Sequence, residues 1–259
     1  MHESAAEDRK GIFHTWLVAS RCKNPTRGDP PLNLEEEMEF QNGIDPKIII
    51  DFFQFLYRNC GSGFLFIMSC LLDRSKGIFI DTRNRFKDVP DLILECNKKT
   101  SGYYDRFSTV LFNAPTRSYR TISWLPCLYL DVDYGISDRE ERIDRFKIPP
   151  SIRLRTSPHG WHFYWIFKTP VTKYNQVTVF TIQRKLAILL GGDLGCNGFS
   201  PITRMPGTFN DTYHPNHFVT YETTDYEYNL GDFDYLPGLP MLEYYKLWKE
   251  ILRPYRTLY

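Results

Sequence analysis

The stretch Leu128–Gly135, LYLDVDYG, sets the narrowest limits on the fold. Its alternation is that of a β-strand, in which successive side chains point to opposite faces. Leu128, Leu130 and Val132 form one face and can enter a core; Tyr129, Asp131 and Asp133 form the other. At a rise of roughly 3.3 Å per residue, the two carboxylates stand about 7 Å apart on that face. Carboxylates placed this way repel each other unless a cation is held between them. Oxygen-only ligands suit hard divalent ions, Mg²⁺ or Mn²⁺. A lone Asp-x-Asp is weak evidence, because a solvated strand end would show the same letters. The rest of the chain decides.

The chain has 259 residues, enough for one large domain or two small ones with a substantial core. Apolar residues make up 42% and aromatic residues 16%, which excludes a disordered tail. The formal net charge of +1 gives no global argument for a polyanion partner, so local charge must carry one. No apolar run reaches membrane-spanning length; Phe64–Leu72, FLFIMSCLL, is far too short. The polar start MHESAAEDRKG is not a secretory leader. Cys22, Cys60, Cys70, Cys96, Cys127 and Cys196 are scattered, with no Cys-x-x-Cys pair. They read as buried free thiols in a reducing cytoplasm, with a zinc site among them as the alternative.

Residues 23–34, KNPTRGDPPLNL, read as a loop. The following segment has helix punctuation: Asp45 as cap, Pro46 in the first turn, Gly61 as stop, and an apolar face of Ile48, Ile49, Phe52, Phe53 and Leu56. FLFIMSCLL, GIFIDTR and Arg106–Pro115 read as strands, and SDREERIDRFK as a polar segment. Two β-rich runs flank the Ser-Pro-His-Gly turn at 157–160. A helix is expected from a Thr172 cap to Gly191-Gly192, then a strand HFVTYET and an amphipathic helix near the C-terminus. This order favours an α/β or α+β domain with helices packed on a mixed sheet. The expected division is an N-terminal extension and loop at 1–40, a catalytic domain at 41–240 and a C-terminal amphipathic helix at 241–259.

Two further patches carry chemistry. In TSPHGWHFYWIF, His162, Tyr164 and Ile166 share one face of a strand, and Phe163, Trp165 and Phe167 the other. His162 opens that strand beside a turn rich in hydroxyl and backbone donors, a place suited to phosphate oxygens; the alternative is a histidine that caps a strand. His159 is a rival, less firmly placed at the loop tip. In GGDLGCNGFSPITRMPGTFN, Asp193 follows a helix stop and can supply a third carboxylate. Arg204 offers a fork of donors suited to phosphate. The alternative is a turn-rich loop in which Asp193 caps and Arg204 makes a surface ion pair.

In this order the three patches resemble the motifs of the archaeo-eukaryotic primase superfamily, in the primase-polymerase branch of plasmids, phages and CRISPR-associated relatives. LYLDVDYG resembles the first motif, TSPHGWHFYW the second and GGDLGCNGFSPITRMPGTFN the third. The likeness runs from about Phe64 to Leu236. One departure is that Gly160-Trp161-His162 lacks the small polar residue the second motif often carries two places before its histidine; Ser157 lies upstream. The resemblance implies an α+β fold, with an N-terminal α/β unit, an RRM-like catalytic unit and the active site in the cleft between them. It implies nucleotidyl transfer on a single-stranded DNA template, by attack of a 3′-hydroxyl on a nucleoside triphosphate. Asp131, Asp133 and Asp193 would hold two Mg²⁺ or Mn²⁺ ions. Ser157, Gly160, His162 and Arg204 would bind the nucleotide. Template, primer, and a helicase or other replication or CRISPR proteins are the partners it suggests.

Template binding is expected to be electrostatic and salt-dependent. Lys98–Arg120 holds five basic residues and one acidic, near Tyr103 and Tyr104; Arg139–Arg155 holds six basic and three acidic. Tyrosines there can stack on bases, although both segments also fit ordinary solvated charge. The rival readings are a metal-dependent nuclease, which needs no triphosphate pocket, and a non-catalytic replication or single-strand-binding module that retains the fold.

Overall fold

The structure, a computed structural model, describes residues 44–69, 77–84, 86–99, 104–132, 137–194, 201–210 and 216–243. In it the alternation read at Leu128 extends over an eleven-residue strand, β4 (Ile122–Val132). Before it come α1 (Pro46–Leu56), β1 (Phe64–Ser69), β2 (Gly77–Asp81), α2 (Val89–Lys99) and β3 (Tyr104–Phe112). After it come α3 (Ser137–Asp144), β5 (Ile152–Arg155), β6 (Trp161–Val171) and α4 (Gln176–Leu190). The chain continues through β7 (Ile202–Arg204), β8 (Phe209–Asn210), β9 (His217–Phe218) and β10 (Thr220–Thr223).

The main sheet runs β10-β5-β6-β4-β3-β1-β2, with β7 also paired to β3; β8 and β9 form a separate pair. Every paired strand is antiparallel, so the expected mixed sheet is corrected. The reason is topological. After α3 the chain skips one position before forming β5, and β6 then fills the gap antiparallel to both neighbours. This is a split βαβ arrangement.

Alternation in β4 and β6 divides the core. Leu128, Leu130, Val132, Phe163, Trp165 and Phe167 pack on one side with Val179, Phe180 and Leu186 of α4. Cys127, Tyr129, Tyr164 and Ile166 pack on the other with Ile49, Phe52 and Phe53 of α1 and Ile93 of α2. Each such side chain, fully buried, contributes on the order of 1.5–3 kcal/mol. The sheet is therefore a middle layer between helices, as an α+β domain requires.

Local signals explain most elements. Asp45 caps α1, accepting from the Ile48 N–H at 3.1 Å, and Pro46 occupies the first turn. The helix closes at Leu56, earlier than the expected stop at Gly61, because Tyr57 leaves the helical conformation and caps it. Pro126 sits inside β4 at a register shift between Leu125 and Cys127, where a missing donor does least harm. Thr172 does not cap α4: a short 3₁₀ turn, Lys173–Asn175, intervenes and Asn175 takes the capping position. Helix α2 was not foreseen, and α3 forms within the segment read only as polar. HFVTYET splits into β9 and β10 at Val219, which is buried and donates to Thr208. Met241–Glu243 are helical; the rest of the expected C-terminal helix lies outside the described residues, as do 1–43. Among the described residues, no helix is long and apolar enough to cross a membrane.

Candidate active site

The site forms where β4 and β6 end together. Asp131 lies directly opposite His162, and Tyr129 opposite Tyr164, so all four side chains share the face predicted by alternation. Asp131 is 9% exposed and His162 is 6% exposed. His162 Nε2 stands 3.3 Å from Asp131 Oδ2, and the Tyr129 hydroxyl donates to the same oxygen at 3.3 Å. The Tyr129 ring meets the imidazole edge-on, with centroids 5.3 Å apart. Behind the imidazole, Nδ1 lies 2.5 Å from the Thr203 hydroxyl, which is 3.1 Å from the Tyr164 hydroxyl. Burial raises the Tyr164 phenol well above its ordinary pKa, so it stays a protonated donor.

Asp193 reaches the same strand end by backbone. Its N–H donates to the Asp131 carbonyl at 2.7 Å, while its side chain is exposed. Gly192 makes this approach feasible: a Cβ there would lie 2.2 Å from Leu130 Cδ1 and 2.9 Å from the Asp131 carbonyl oxygen. The first and third motifs are thus in contact. Asp133 lies outside the described residues. Among the described residues, no three His, Cys, Asp or Glu side chains cluster as a metal cage.

The turn between β5 and β6 is built around Gly160, whose carbonyl accepts from Thr156 N–H at 3.0 Å and Ser157 N–H at 3.4 Å. Ser157 is buried, and its hydroxyl accepts from His159 N–H at 3.2 Å. His159 is exposed at the tip. Asn210 is buried and donates from its amide to the Thr156 carbonyl at 2.8 Å, fixing the turn from outside.

Arg204 is neither a surface residue nor in a surface ion pair. It is 8% exposed, and its guanidinium donates to the carboxylate of Asp105, itself 2% exposed. Asp105 is the extra residue of a β3 bulge: Tyr104 pairs with Ser69 and Arg106 with Met68. Bulges re-aim side chains, and this one turns a carboxylate to meet β7. One end of β3 pairs with β4 at Leu111–Trp124 and Phe112–Ile122. The other pairs with β7, where Phe107 faces Thr203 and Arg106 faces Arg204. Strand β7 therefore links the β4–β6 strand end to the β1–β3 half of the sheet. Residues 113–225, spanning β4 to β10, match the family model of the RepB DNA-primase N-terminal domain.

The matched segment holds all three patches that resemble primase motifs. The archaeo-eukaryotic primase fold is shared with the primase-polymerase domain of cyanophage S-2L: TM-score 0.55, 18% identity, 75% of this chain and 100% of that one. A crystal structure of primase RepB′ aligns at TM-score 0.49 and 11% identity, over 81% of this chain and 65% of that one. The catalytic domain of primase RepB′ in complex with initiator DNA aligns at 0.48 and 12% identity, over 81% and 98%. No curated protein matches the sequence. The fold is that of archaeo-eukaryotic primase domains.

On this primase fold, four residues join the site that were not singled out from sequence: Asp105, Tyr129, Tyr164 and Thr203. Tyr129 and Tyr164 were legible as sharing faces with Asp131 and His162. Thr203 adjoins Arg204, but its role depends on register. Asp105 is the one acid in the otherwise basic 98–120 stretch, a signal that went unused. The basic segment 139–155 is partly spent on local pairs, Arg145–Glu141 and Arg153–Asp144.

Proposed function

We propose that the chain is a template-dependent nucleotidyltransferase that synthesises primers, extends DNA, or does both, on single-stranded DNA. One observation supports this above others. Asp131 and His162 face each other in register, and the Asp193 amide is bonded to the Asp131 carbonyl, so three motifs distant in sequence meet at one strand end.

The donor set fits a hard divalent cation, being carboxylate oxygen. Asp131 and Asp193, with Asp133 two places along from Asp131, would hold Mg²⁺ or Mn²⁺. Bound there, the cations would neutralise charge on the triphosphate and favour the attacking 3′-oxygen. The chain's own residues orient the substrate. The Ser157 hydroxyl and the Gly160 backbone of the 157–160 turn face the nucleotide phosphates in this reading, while the Ser157 and His159 amides hold the turn itself. His162 supplies a ring N–H. Arg204, paired with Asp105, would present its guanidinium edge to the phosphate side. Single-stranded template would follow the basic segments, with affinity falling steeply as salt rises.

Labelled nucleotide, Mn²⁺ and a single-stranded template, with and without primer, test the reading. Extension or primer products are expected, and Asp131→Asn should abolish them. Shortened template without incorporation would replace this reading by nuclease activity.

A further inference from the structure

The hydroxyls behind His162 fix more than the ring's position. Tyr164 is fully buried, and its proton needs an acceptor. Its hydroxyl lies 3.1 Å from Thr203 Oγ1, which lies 2.5 Å from His162 Nδ1. Thr203 has one proton to give. If Tyr164 donates to Thr203, Thr203 donates to Nδ1, and the ring proton sits on Nε2. That places a donor 3.3 Å from Asp131 Oδ2, beside the Tyr129 hydroxyl that donates to the same atom. The reverse order fails twice: a bare Nε2 lone pair would face a carboxylate, and either the Tyr164 proton or, with Thr203 accepting from both sides, the Thr203 proton would have no acceptor within this set of groups.

We propose that Thr203 is a positioning residue: its hydroxyl holds His162 in the Nε2–H tautomer, so the ring turns its donor toward Asp131 and the nucleotide site. The tautomer follows from the hydrogen bonds alone; its consequence for nucleotide incorporation rests on the function proposed above. The same donor that meets Asp131 in the free protein can meet a phosphate oxygen, whereas the other tautomer would present a lone pair to either anion. The outer hydrogen bond sets which nitrogen carries the proton. Strand pairing supports the geometry, since Phe107 faces Thr203 across β3 and β7 and so locks the register that brings the hydroxyl to the ring.

The test is long-range ¹H–¹⁵N NMR of the imidazoles at a pH where they are neutral, with His162 assigned through His162→Gln. Wild type should show protonated Nε2 and bare Nδ1. Thr203→Val should move the population toward Nδ1–H, and Thr203→Ser should restore the wild-type pattern. Incorporation should fall about tenfold in Thr203→Val and stay within about twofold in Thr203→Ser. If the valine variant does not fold, Thr203→Ala is read the same way. An Nδ1–H or doubly protonated ring in wild type, or an unchanged tautomer without the hydroxyl, overturns the proposal. A wild-type Nε2–H ring in a chain that incorporates no nucleotide would leave the positioning role standing and remove the proposed function instead.

Discussion

Two buried acid–base pairs meet β7 at adjacent residues and do opposite things. Thr203 contacts the Asp131–His162 pair, and the next residue, Arg204, is itself half of the Asp105–Arg204 pair. Both pairs are nearly sealed from solvent. The arginine never gives up its proton, so Asp105–Arg204 is a fixed brace between a β3 bulge and β7. The histidine pair stands where two strands end and rests on hydroxyls that orient one ring proton toward Asp131. Buried polar groups therefore serve as scaffold in one place and as an oriented donor in the other. What separates them is the partner's chemistry, since burial is alike.

The strongest test of this contrast is Asp131→Asn. The amide oxygen can still accept from His162 and Tyr129, so the fold should hold, with unfolding free energy within about 1 kcal/mol of wild type. Incorporation should drop about a thousandfold, equivalent to about 4 kcal/mol of barrier. Primer extension together with urea unfolding reads both. Activity near wild type would break the contrast, because both pairs would then be scaffold.

Asp105→Ala should do the reverse. It leaves a guanidinium buried without its carboxylate and should cost about 3–5 kcal/mol of stability. Replacing both partners, Asp105→Leu with Arg204→Met, should recover most of that loss in the same urea experiment, because a buried ion pair is seldom better than packed apolar groups. A small effect of the single substitution would show that the brace carries little weight. A stable double variant with intact incorporation would also remove Arg204 from the phosphate side of the site.

The contrast also shows what a sequence can and cannot disclose. Period-two alternation placed Asp131, His162 and Tyr164 on their faces correctly, because strand geometry is local. Pairing Asp131 with His162 needed register, which depends on strands thirty residues apart. The Asp105–Arg204 pair spans 99 residues and depends on a bulge, and no local pattern announces a bulge. Helix α2 escaped for a related reason: among the described side chains of VPDLILECNKK, Val89, Pro90 and Ile93 are buried, too thin a stripe to stand out. Strand splitting at Val219 was hidden because the break answers to a turn elsewhere, where Gly207 donates to the Val219 carbonyl.

That turn offers a smaller test. Gly207 adopts φ +78°, and an added Cβ would lie 2.8 Å from the Asp45 carbonyl oxygen and 3.0 Å from Ile49 Cγ1. Gly207→Ala should therefore cost about 2 kcal/mol, from left-handed backbone strain plus the clash. Because the turn follows Arg204 directly and docks on the start of α1, the loss should appear as stability, with residual incorporation at permissive temperature. Incorporation lost out of proportion to stability would mean that β7 is positioned from this turn, and the brace would be secondary.

The smallest effect concerns a histidine with the opposite neighbour. His217 pairs with Asn210 in the β8–β9 ladder, and its Nε2 is buried with no hydrogen-bond partner among the described residues. Burial first, and the charge of Arg155 second, push its pKa down from 6.5 to about 4; a hydrogen bond to the Arg155 backbone opposes this in part. The unfolded chain therefore takes up a proton first as pH falls. Stability that is complete above about pH 6.5 is lost as pH drops toward 4. Discounted for screening of a partly exposed ring, the loss should be about 1 kcal/mol. His217→Gln cannot titrate, so its stability relative to wild type should rise by that amount between pH 7 and pH 4.5 in urea titrations. An unchanged acid limb in His217→Gln would move that dependence to another group and leave the neighbour argument without support.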